Sequence, residues 1–157
     1  MTSANPTTAT RIDPRGPRFA AGVTAVILAV VLILGPAAGL PLLVVQLLAF
    51  GAGAIFGLRY QPWGAVFRYL VRPRLQPPSE LEDEAPPRFA QLVGLLFTVV
   101  ALVGALLGAP VVFYVAVGFA LAAALLNAVF DFCLGCEMYL LVRRLLGRSR
   151  PATEAGA

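Results

Sequence analysis

Seven consecutive residues, Asp131-Phe132-Cys133-Leu134-Gly135-Cys136-Glu137, hold the only two cysteines of the chain between two carboxylates. Two thiols three positions apart meet on one helical face and close a strained, easily reduced disulfide, which suits reversible thiol–disulfide exchange. If Cys133 begins a helix, exposed amide N–H groups and the helix dipole stabilise its thiolate. Cys133 is then the attacking thiolate and Cys136 the resolving thiol. Asp131 and Glu137 are placed to move protons during exchange, and Gly135 is expected to leave room for a partner's backbone or sulfur. A structural zinc or iron–sulfur centre needs four ligands, whereas this block offers two thiols and two carboxylates in a chain without histidine. No resident metal or cofactor is therefore expected within one chain, although subunits together could complete a site. The bland alternative is that both cysteines pack as small apolar groups.

The elements that must hold this block are apolar. Of 157 residues, 59% are hydrophobic and 13% charged, against about 25% charged in soluble domains. A domain of this size cannot hide so much apolar surface from water, and a disordered chain needs the opposite composition. Four uncharged runs, at residues 19–34, 42–58, 89–107 and 111–130, approach the ~20 residues that cross ~30 Å of hydrocarbon. The expected fold is an all-α membrane protein with four transmembrane helices arranged as two tandem hairpins.

Every basic residue is arginine, and the arginines decide orientation. Arg11, Arg15 and Arg18 precede the first run; Arg59, Arg68, Arg72, Arg74 and Arg88 lie between the second and third; Arg143, Arg144, Arg148 and Arg150 follow the fourth. Neither hairpin turn, 35–41 or 108–110, carries a charge. The positive-inside rule places all the arginines, both termini and the cysteine pair in the cytosol. The net charge of +4 thus reads as a membrane-orienting feature, and no nucleic-acid partner is expected.

Pro17-Arg18-Phe19-Ala20 recurs as Pro87-Arg88-Phe89-Ala90, and Leu70-Val71-Arg72 as Leu141-Val142-Arg143. Two parallel repeats follow, 16–75 and 88–147, related by a pseudo-two-fold axis along the membrane normal. Each ends in an amphipathic cytoplasmic helix, at 63–75 and within 131–147. The apolar stripe Trp63, Val66, Phe67, Leu70 and Val71 has helical spacing and predicts a helix lying in the interface plane. An offset of 71 sets Glu137 against Val66, Cys133 against Pro62 and Cys136 against Ala65, so the second half carries chemistry where the first is inert. Residues 1–15 and 148–157 read as disordered tails and 76–87 as an acidic, Pro-rich linker. Among polar residues in the runs, Gln46 and Thr98 are expected to hydrogen-bond between helices, while Asn127 points toward the cysteine end of its helix.

The cysteine block, Asn127 and the two Pro-Arg-Phe segments resemble the bacterial membrane proteins grouped as domain of unknown function 4395, over about residues 10–147. That resemblance carries no established activity. It implies a bacterial cytoplasmic membrane and, since such proteins are encoded near thioredoxin-like and rhodanese-type proteins, a soluble thiol or sulfurtransferase partner. The leading expectation is thiol–disulfide or persulfide exchange at Cys133 and Cys136. The alternatives are a small transporter or channel for a sulfur species or metal, and a non-catalytic anchor or assembly subunit. On any of these readings the chain is expected to act as a homo-oligomer or as a subunit of a larger membrane complex.

Overall fold

A computed structural model describes residues 10–147. Helix α1 runs Arg15–Ala38 and is broken at Gly35, whose φ of 75° and ψ of −176° leave the helical region. A non-glycine residue is strained there, and Pro36 behind it cannot donate to the ladder. The chain turns through Gly39 into α2, Leu40–Gly51, which ends in a π-helical turn, Ala52–Phe56. A 3-10 turn at Leu58–Tyr60 leads to the short α3, Pro62–Val66, continued by a π turn Phe67–Val71 and a 3-10 turn Arg72–Arg74. Then come α4, Ala85–Leu106, α5, Pro110–Phe130, and α6, Leu134–Gly147.

Three of these helices, α1, α4 and α5, are long and apolar enough to cross a membrane, and Leu40–Phe56 is a shorter apolar helix. Their interior is apolar: Leu28, Val31, Leu43, Ala101, Phe113, Ala116, Val117 and Ala120 form one buried cluster. Small residues let the helices close on it. A Cβ on Gly94 would lie 2.6 Å from the Phe50 ring, and one on Gly104 would lie 2.9 Å from the Phe113 nitrogen. Large apolar side chains such as Ile33, Leu48, Leu96, Val111 and Phe119 stand on the outside. Such an exterior suits lipid and not water.

Two buried polar side chains of this interior, Gln46 and Thr98, find their partners in different ways. Gln46 donates through Nε2 to Thr24 Oγ1 at 3.1 Å and accepts from Trp63 Nε1 at 3.2 Å, joining α2, α1 and α3. That is the interhelical bonding expected of Gln46. Thr98 departs from it: its hydroxyl returns to Gly94 O and Leu95 O of its own helix, at 3.0 and 2.9 Å.

Three expected boundaries also move. Residues Arg11–Ile12 pair antiparallel with Glu82–Asp83, Arg11 opposite Asp83, so the described end of the expected 1–15 tail is tied to the acidic linker. Asp13 is 9% exposed and forms a 2.9 Å ion pair with Arg15. The linker is shorter than 76–87, because α4 already starts at Ala85, where Asp83 Oδ1 accepts the Ala85 N–H at 2.9 Å. The interfacial helix expected at 63–75 is a run of mixed winding, α then π then 3-10, with Pro62 at its start and Pro73 in its last turn. The expected tail 148–157, with Arg148 and Arg150, lies outside the described residues.

Candidate functional site

Helix α5 stops at Asp131, which adopts the left-handed conformation at φ 57° and donates its N–H to Leu126 O. Aspartate is among the few side chains that tolerate this state. The next N–H, of Phe132, also returns to Leu126 O, at 3.2 Å. This reversal sets Cys133 at the mouth of α6. The Cys133 carbonyl accepts the Glu137 N–H at 3.0 Å, which makes Cys133 the N-cap and Cys136 the third helical residue.

The two thiols are therefore shifted in opposite directions, for a geometric reason. The Cys136 thiol donates to the Cys133 sulfur, and the backbone N–H groups of Cys136 and Gly135 donate to it as well. Together they hold the Cys133 thiol below its ordinary range against the opposing effect of burial. Cys136 is pushed up, because its proton is shared with Cys133 and because it is partly buried; the charges of Glu82 and Glu137 add to this. Both cysteines are free and half-buried, so neither thiol is sealed from solvent.

The flanking carboxylates occupy different settings. Asp131 is exposed, with Oδ2 3.9 Å from Arg18 Nη1, while Arg18 Nε donates to Ala128 O at 3.2 Å. The first turn of α1 thus clasps the joint between α5 and α6. Glu137 is exposed on α6, and its charge raises both thiols instead of favouring the thiolate. Among the described residues, Glu137 forms no ion pair with Arg143 or Arg144. Glu82, read from the sequence as part of a solvated linker, comes near enough to act on Cys136; its only sequence signal was the acidic run itself.

Gly135 does not face an open approach path. A Cβ there would fall 2.6 Å from both Cα and Cβ of Ala90, so the missing side chain lets α6 settle directly on α4. A cleft of about 220 Å³ runs instead from Cys133 into the bundle, past Asn127 and Gln91, between walls that include Phe97, Phe119 and Ala124. Asn127 thus reaches the same cleft as Cys133. Among the described residues, no three of His, Cys, Asp and Glu gather as a metal site would require.

The offset of 71 is corrected by the helix starts. Gln61 caps α3 as Cys133 caps α6: the Gln61 carbonyl accepts the Ala65 N–H at 3.0 Å, as Cys133 does for Glu137. The Phe19–Phe67 ring pair, 5.8 Å apart at 41°, is matched by Phe89–Tyr139, 5.9 Å apart at 49°. Both observations give an offset of 72 here, which pairs Cys133 with Gln61, Cys136 with Gly64 and Glu137 with Ala65. Glu137 accordingly does not interrupt an apolar stripe at the place of Val66.

A family model described as Domain of unknown function (DUF4395) matches residues 12–144. No curated protein and no solved structure matches the chain.

Proposed function

The chain belongs to the family described as Domain of unknown function (DUF4395), and from that premise, which fixes no activity, we propose that it exchanges thiols at Cys133 and Cys136. The substrate is a soluble protein that presents a disulfide or a persulfide. The observation carrying this reading is the asymmetric pair at the start of α6: Cys133 caps the helix and receives the Cys136 thiol and two backbone N–H groups, which lower it, while Cys136 is raised.

The Cys133 sulfur attacks one sulfur of the partner disulfide, breaks that S–S bond and releases one partner thiolate. Cys136 then gives up its proton to water or to a nearby carboxylate and attacks Cys133 Sγ. The mixed disulfide breaks, the second partner thiolate leaves, and Cys133–Cys136 forms. Two electrons pass to the partner, which takes up two protons. With a persulfide partner, Cys133 takes the outer sulfur and releases the partner thiolate; attack by Cys136 then expels hydrosulfide and closes the same disulfide.

The setting we propose is a bacterial cytoplasmic membrane crossed four times, Leu40–Phe56 being the fourth span. Both termini and the dithiol lie in the cytosol, and α6 rests in the interface with Leu141, Leu145 and Leu146 toward lipid. The charge-free turns and the arginines of the sequence support that orientation. The packing supports the repeat: α1 lies on α5 as α4 lies on α2, and α3 contacts α1 as α6 contacts α4. A thioredoxin-like or sulfurtransferase protein is the partner class this chemistry fits.

A Cys136→Ser variant tests the reading. It should hold the partner on Cys133 as a mixed disulfide, seen on a non-reducing gel and released by dithiothreitol, while Cys133→Ser should trap nothing. A wild-type chain whose two thiols never join under a mild oxidant would overturn it.

A further inference from the structure

Between the start of α1, the turn Leu58–Tyr60 and α3 lies a second cavity, of about 320 Å³, which the dithiol does not touch. Arg59, Arg68 and Arg72 border it, and Gln61, 2% exposed, lines it. Gln61 uses Oε1 to accept the Gly64 N–H at 2.6 Å, but its Nε2 is buried without a partner. Arg68 Nε and Gln91 Oε1 are buried without one too. The two glutamines lie close together, since a Cβ on Gly53 would meet Gln91 Oε1 at 3.0 Å and Gln61 Cγ at 3.2 Å, and Arg68 lines the same cavity. Buried polar atoms are normally paired, so two idle donors and one idle acceptor on residues that line this cavity call for a ligand; Gln91 stands where it meets the cleft beside Cys133.

Charge tells which kind. The carboxylates bordering the cavity are already engaged, Asp13 by Arg15 at 2.9 Å and Glu84 by the Leu58 N–H at 2.7 Å. The arginines are left in excess. We propose that this cavity binds a phosphate-type oxyanion. Gln61 Nε2 and Arg68 Nε donate to its oxygens, Arg72 supplies countercharge at the rim, and Gln91 Oε1 accepts from a hydroxyl on the ligand. That hydroxyl is the retained proton of hydrogen phosphate or a glycerol hydroxyl of a phospholipid headgroup. The site occupies in the first half the position of the dithiol in the second, since Gln61 and Cys133 cap equivalent helices. It does not depend on the exchange chemistry.

The test uses the full chain, purified in detergent and stripped of lipid. Thermal unfolding is followed while inorganic phosphate is titrated against chloride at matched ionic strength, and in parallel while micelles are doped with phosphatidylglycerol or phosphatidylcholine. A saturable rise in Tm with phosphate assigns the site to a free oxyanion; a rise with phosphatidylglycerol alone assigns it to a headgroup. In either case Arg68→Gln and Arg72→Gln should each raise the half-saturating concentration about tenfold or more. Arg68 also donates to the Arg59 carbonyl; should its variant misfold, Arg72→Gln, at an exposed position, carries the comparison. No saturable rise in either arm, an equal rise with chloride, or unchanged binding in Arg72→Gln overturns the proposal and leaves the cavity to water.

Discussion

Three donors lower the Cys133 thiol, and one of them can be deleted cleanly. In wild type the alkylation rate of Cys133 should rise with pH through an inflection below that of an ordinary thiol, near 8.5. Cys136→Ala removes the thiol donor, the largest of the three, so its inflection should move up; iodoacetamide rates across pH 5–10 measure both. Glu137 sharpens the same point. Its charge opposes the thiolate, so Glu137→Gln should lower the inflection, and stability should change by no more than about 0.5 kcal/mol at so exposed a site. A higher inflection would restore the proton-handling role expected from the sequence. The thiol pair and its place at a helix start were legible, because spacing and the surrounding pattern fix both. The register of the proposed repeat was not: a slip of one residue between 71 and 72 leaves the short sequence matches intact and moves only caps and ring pairs. Gln61 and Glu82 went unread for a related reason, since their roles come from contacts across the fold.

At the level of elements, α6 approaches α4 most closely at Gly135. Gly135→Ala places a Cβ 2.6 Å from Ala90, and overpacking of this kind costs about 1–3 kcal/mol. Denaturation in detergent should register the loss, and Ala90→Gly should recover only the part due to the Ala90 methyl, because the backbone is equally close. The Thr24–Gln46–Trp63 chain provides a second test. Gln46→Leu strands the indole N–H and the Thr24 hydroxyl, at about 0.6–2 kcal/mol per lost bond in a helical membrane protein. Emission from Trp63, the only tryptophan, should shift as its partner disappears; an unchanged spectrum would dissolve the link between α2 and α3. Long helices were legible from uncharged runs, and the break at Gly35 from its Gly-Pro pair. The Arg11–Ile12 pairing with Glu82–Asp83 was invisible, because two-residue strands about seventy positions apart leave no pattern to read.

For the molecule as a whole, the arginine distribution makes a prediction about sidedness. A membrane-impermeant maleimide should label the cysteines in inside-out vesicles and not in intact cells; labelling from outside would invert the proposed orientation. Composition made the apolar bundle plain, but Leu40–Phe56 is too short for its fate to follow from length alone. The clasp of Arg18 on Ala128 and Asp131 has a mechanical consequence. A helix tilts as its bilayer thins, and α1 is fastened to the loop that presents Cys133. Tilting α1 should drag that loop, so the dithiol would report acyl-chain length: alkylation rates should differ between short-chain and long-chain bilayers, and Arg18→Gln should erase the difference.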